Sequence, residues 1–162
     1  WNESDHAWNA IKINEKWEFI DVTWGSGYVT GNCSKYVKEF SDVYFLMKPE
    51  YMILEHYPED QNWLMDLNIS KSDFENFPLF YRDYFELNIN DLNQMNKKIK
   101  KNILGKAKFS FKTLSNIKNI SGKKNKNILF EVIDDEVNFK IKTKGMYFTL
   151  YINNRGIITY LN

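Results

Sequence analysis

The stretch HAWNAIKINEKWEFIDVTW, residues 6–24, places a histidine at the start of one alternating segment and an aspartate at the end of the next. A carboxylate bonded to one imidazole nitrogen fixes the tautomer of the ring and steadies the imidazolium. The other nitrogen can then take a proton from a thiol or hydroxyl. His6 and Asp21 are therefore a candidate base and its orienting partner, with Trp8 and Trp24 beside them to keep water out. The plainer alternative is a cross-strand bond that only stabilises a hairpin.

Whether the two can meet depends on the elements that carry them. Both runs are rich in Trp, Ile, Phe and Val, and the short polar turn between them is a hairpin signal. If Asn14 and Glu15 form a two-residue loop, Ile13 faces Lys16, Trp8 faces Asp21 and His6 faces Thr23. Paired residues share a face, so His6, Trp8, Asp21 and Thr23 lie on one side, with His6 and Asp21 as diagonal neighbours. A three-residue loop would reverse the parity and separate them.

The literal string DHAWNAIKINEKWEFIDVTWGSGY closely resembles the His and Asp segments of the transglutaminase-like superfamily, distant relatives of the papain-like cysteine proteases. The continuation FSDVYFLMKPEYMILEHYPEDQNWLM is similar to the kyphoscoliosis peptidase and cytokinesis-protein group. There an aspartate, Y-F-L, a proline, H-x-P and a tryptophan follow the His–Asp hairpin. The resemblance covers residues 1 to about 80. It implies that His6 is the catalytic base, Asp21 its partner, and Trp8 and Trp24 packing residues of the site. It also implies a nucleophilic cysteine at a helix start, preceding the histidine. Only WNESD precedes His6 here. The expectation is thus a fragment or processed chain that lacks the cysteine segment and is inactive alone.

The remaining candidates are weaker. Cys33 follows the pair in the glycine-punctuated stretch GSGYVTGNCS (25–34), read as a loop, and no helix start activates it. A surface or packed thiol is the preferred reading. His56, in EHYPED, lies near acids, but two histidines and one cysteine make a closed zinc site improbable. The H-x-P similarity suggests a structural residue, so no metal and no cofactor are expected.

Charge and patterning divide the chain. Residues 1–90 hold 16 acidic against 7 basic side chains, whereas residues 91–130 hold 11 lysines and a single acid, Asp91. From about Phe85 the segments YFELNI, KAKFSFKT, NILFEVI, VNFKIKT, MYFTLYI and IITYL alternate apolar and polar residues between regular turns, as in a small antiparallel sandwich. The predicted fold is α+β. The C-terminal part of a transglutaminase-like core spans 1–84, with Pro49 and Ser72 near short helix starts, and an immunoglobulin-like β-sandwich spans 85–162. The lysines suit an exposed sheet face that resists aggregation better than a nucleic-acid site, because stacking aromatics are sparse among them.

No stretch is apolar enough to span a bilayer, and the single cysteine excludes an internal disulfide framework. The lack of disulfides fits a reducing compartment, and the expected location is the cytoplasm. The leading expectation is the His–Asp half of a cysteine peptidase or acyltransferase acting on protein carboxamide or peptide bonds. The alternative is a non-catalytic scaffold, a pseudoenzyme binding a protein partner of cytoskeletal kind. In either case the face bearing Trp8, Phe19 and Asp21 is expected to be covered by an upstream segment or another chain.

Overall fold

The computed structural model describes residues 6–30, 32, 34–122 and 127–162, and Cys33 lies outside them. The chain divides into two units, Trp1–Lys71 and Ser72–Asn162. Both are built mostly of antiparallel strands with a few short helices.

In the first unit, β1 (Asn9–Ile13) and β2 (Lys16–Ile20) pair with Ile13 opposite Lys16 and Asn9 opposite Ile20, the register that a two-residue loop requires. Asn14 and Glu15 both take left-handed backbone, at φ 47° and 63°. Such turns match the natural twist of paired strands, and asparagine tolerates that conformation better than most residues. Helix α1 (Val22–Ser26) follows directly, capped by the Asp21 carboxylate. The next stretch departs from the expected loop. Gly27–Thr30 (β3) pairs with Lys35–Lys38 (β4), setting Tyr28 opposite Val37 and Val29 opposite Tyr36. The β-forming residues between the glycines outweigh the breakers. Gly27 has φ 156°, and a Cβ there would lie 2.2 Å from the Val37 carbonyl oxygen, so only glycine fits.

Strand β5 (Phe45–Met47) then pairs with β2, bringing Met47 opposite Phe19. Helix α2 (Pro49–Met52) starts on proline, whose missing N–H costs nothing at that position. Phe19, Met47, Met52, Ile53 and Leu64 form the buried core of this unit. The expectation that Phe19 needs covering from outside is therefore overturned. Phe19 is 2% exposed because the residues after β5 fold back over β2.

In the second unit, α3 (Lys71–Glu75) leads to β6 (Leu79–Phe80) and α4 (Arg82–Glu86). Strands β7 (Lys106–Lys112), β8 (Ile120–Ser121), β9 (Phe130–Ile133), β10 (Glu136–Lys142), β11 (Tyr147–Ile152) and β12 (Arg155–Leu161) follow. One sheet has the order β7-β10-β9 and the other β6-β12-β11-β8. Apolar residues of both meet in one core: Phe109 stacks on Phe139 at 5.0 Å and meets Tyr160 edge-on at 5.5 Å. In β7 the alternation is direct, with Ala107, Phe109 and Phe111 buried and Lys106, Lys108 and Lys112 exposed.

Two sequence expectations change here. YFELNI is a helical turn rather than a strand. Phe85, Leu87 and Ile89 are buried and Asn88 is exposed, as in a strand, but Tyr84 is buried as well, because α4 and a left-handed Asn88 (φ 47°) take the place of an extended chain. The division also falls earlier than residue 84, because Leu79 and Phe80 pair with β12.

Candidate functional site

Asp21 sits where β2 ends and α1 begins, and its backbone is pinned on both sides. Its N–H donates to the Tyr44 carbonyl at 3.0 Å, and its carbonyl accepts from the Gly25 N–H at 2.9 Å. Its side chain is wholly buried. As the cap of α1, Oδ1 accepts the backbone N–H of Trp24 at 2.9 Å. This settles one oxygen of the carboxylate and turns the other, Oδ2, away from the helix.

Two imidazoles converge on Oδ2. His6 Nε2 lies 2.6 Å from it and His56 Nε2 lies 3.1 Å from it. His6 arrives by the hairpin register, three residues before β1. His56 follows α2 by a short turn, in which its N–H bonds the carbonyl of Met52, the last helical residue, at 2.9 Å. The rings sit against aromatic walls. Trp24 lies 4.4 Å from His56 and 5.3 Å from His6, and Trp8 meets the His56 ring edge-on at 5.1 Å. His6 is the member of the trio that solvent reaches, with 22% of its side chain exposed against 3% for His56.

Burial pushes the Asp21 carboxyl up, but the bonds from His56, Trp24 N–H and His6, together with the charge of His6, outweigh it. They hold the group at about 2, so it is an anion throughout the neutral range. Nearby Glu55 shows the opposite balance. Burial carries it up to about 8, against a hydrogen bond from Tyr44 and with help from the Asp21 charge, and its Oε2 has no partner among the described residues.

Sequence reasoning found His6, Asp21, Trp8 and Trp24, and the structure brings all four together. It missed His56, which was read as structural and apart from the pair. The only sequence signal for it is the H-x-P similarity, because no spacing rule links residue 56 to residue 21. A cavity of about 10 Å³ beside His56, lined by Trp8, Phe19, Met52, Ile53, Trp63 and Leu64 among others, is the size of a single water.

His6, Asp21 and His56 also offer ligand atoms within 4.8 Å of one another. Three protein ligands is the number found in catalytic zinc centres. Both imidazole nitrogens, however, lie at hydrogen-bond distance from one and the same oxygen, and shared protons account for that arrangement.

Known proteins are similar in sequence to about half of this chain. The chain is 41% identical over 75 residues to kyphoscoliosis peptidase of Mus musculus, and equally to that of Homo sapiens; the match covers 46% of this chain and 11% of each relative. It is 31% identical over 91 residues to hillarin of Drosophila melanogaster, covering 49% of this chain and 11% of that protein. No family model and no solved structure matches the chain. Over the matched part the chain is similar to proteins of the transglutaminase-like kyphoscoliosis peptidase group. It spans only about a tenth of the length of those relatives.

Proposed function

We propose that this chain supplies the base and its orienting partner to a transglutaminase-like cysteine hydrolase or acyltransferase. The observation that supports the reading is the 2.6 Å contact between His6 Nε2 and a buried, anionic Asp21. With Nε2–H committed to the carboxylate, Nδ1 is the nitrogen that takes the proton of a thiol. The thiolate attacks a peptide or carboxamide carbonyl. The imidazolium returns its proton to the departing amine as the C–N bond breaks, leaving a thioester. Water or a second amine then releases the acyl group, with His6 again removing a proton.

The nucleophile in this reading is a cysteine on a segment preceding these residues, and Cys33 takes no part. The unit Trp1–Lys71 serves as the transglutaminase-like part and Ser72–Asn162 as an immunoglobulin-like β-sandwich, working in the cytoplasm on protein substrates. No helix among the described residues is long and apolar enough to cross a membrane.

The test is alkylation and acyl-enzyme capture on an N-terminally extended protein carrying Cys33→Ser, with a glutamine-containing peptide as substrate. His6→Asn is expected to slow acyl transfer by roughly 10²–10⁴-fold. An extended protein that turns over equally well without His6 would overturn the reading. A second reading, a non-catalytic scaffold, is favoured by exposed apolar side chains on the same unit, among them Tyr28, Tyr36, Phe40 and Phe45. An extended protein with no activated thiol, but with partner binding lost on Phe40→Ser, would select it.

A further inference from the structure

We propose that His56 is a positioning residue for the His6–Asp21 pair: its Nε2–H bonds Asp21 Oδ2 and holds the carboxylate in the orientation in which it accepts the Nε2–H of His6. The inference rests on the reading of His6 as the base and adds to it the group that fixes its partner.

Three donors meet one carboxylate. Trp24 N–H occupies Oδ1, while His6 and His56 share Oδ2. A cap bond alone leaves the carboxylate free to rock about its last torsion, and a single imidazole follows such rocking. A second donor at 3.1 Å, arriving from a different element, removes that freedom. His56 is itself immobilised. Its backbone N–H bonds the Met52 carbonyl in the turn after α2, Trp24 lies against its ring, and Trp8 meets it edge-on.

The other ring nitrogen shows that His56 is not a second base. Among the described residues His56 Nδ1 is buried without a hydrogen-bond partner. A proton accepted there would have no group to pass to, and solvent scarcely reaches the ring. Its polar commitment is the bond to Asp21. The charged and titratable groups around the pair are Glu55 and Tyr44, from the segments on either side of β5, besides His6 itself. A residue serving only to fill the apolar cavity beside it would be replaceable by methionine. A positioning donor is replaceable by glutamine, whose side-chain amide N–H can stand where Nε2–H stands.

The experiment follows the Asp21 carboxyl by carbon NMR titration in the 162-residue chain, with amide fingerprints to confirm folding. His56→Met is expected to raise the midpoint from about 2 to about 3, and His56→Gln to restore most of the fall. His6→Met is expected to raise it independently. In the unsubstituted protein, nitrogen NMR of the His56 ring is expected to show the proton on Nε2, which needs no variant to fold. A proton on His56 Nδ1, equal behaviour of His56→Met and His56→Gln, or a stoichiometric zinc ion surviving chelation would overturn the proposal. If His56→Met raises the midpoint and His6→Met does not, the base reading falls and the His56 bond stands.

Discussion

Replacing Asp21 by asparagine tests whether the buried carboxylate is held as an anion by its three donors. Asparagine caps helices about as well as aspartate, so Asp21→Asn keeps the bond from Trp24 N–H and removes the charge. The carboxyl lies at about 2 in the folded chain against an ordinary 3.8. A carboxyl lowered on folding stabilises above the unfolded value, and this contribution is lost as pH falls through the folded one. The gap corresponds to about 2.4 kcal/mol at neutral pH. Nearly all of it is present at pH 5, and about 1.1 kcal/mol has gone by pH 3, because the unfolded carboxyl protonates first. That window also avoids the usual titration range of imidazoles. Urea unfolding at pH 5 and pH 3 is expected to show Asp21→Asn less stable at pH 5. The difference should shrink by about 1 kcal/mol at pH 3. A difference that stays constant between the two would refute the reasoning, since a purely packing loss carries no pH dependence.

Three further outcomes follow from the same structure. Glu55 is raised to about 8, so the unfolded chain gives up its proton first and this residue costs stability as pH rises from 4.5 towards 8. Glu55→Gln should therefore gain in melting temperature relative to the unsubstituted chain between pH 4.5 and 8, and a gap that does not widen would contradict the burial. Gly27→Ala sets a Cβ against the Val37 carbonyl and should cost about 2 kcal/mol in thermal unfolding. Glu15→Gly converts the left-handed pair Asn14–Glu15 to Asn–Gly and should add about 0.5–1 kcal/mol in denaturant melts, despite losing the Lys12–Glu15 ion pair.

The meeting of His6 and Asp21 was legible because it is a local matter. Two turn residues set the strand parity, and parity decides which side chains share a face. The alternation of β7 and β10–β12 was legible for a similar reason, since burial on one sheet face writes a period of two into the sequence. Residues 25–38 were harder, because glycine marks both loops and the strained points of strands. Only the pairing of Tyr28 with Val37 distinguishes the two. YFELNI misled because a short helix followed by a left-handed asparagine buries Phe85, Leu87 and Ile89 as a strand would, with Tyr84 besides.

His56 belongs to the tertiary structure alone. It reaches Asp21 only after β5 pairs with β2 and α2 folds back over Phe19, a closure that no local propensity of EHYPED encodes. The low carboxyl of Asp21 has the same origin: its donors come from three separate stretches of chain, and packing of the unit is what holds them on one buried group.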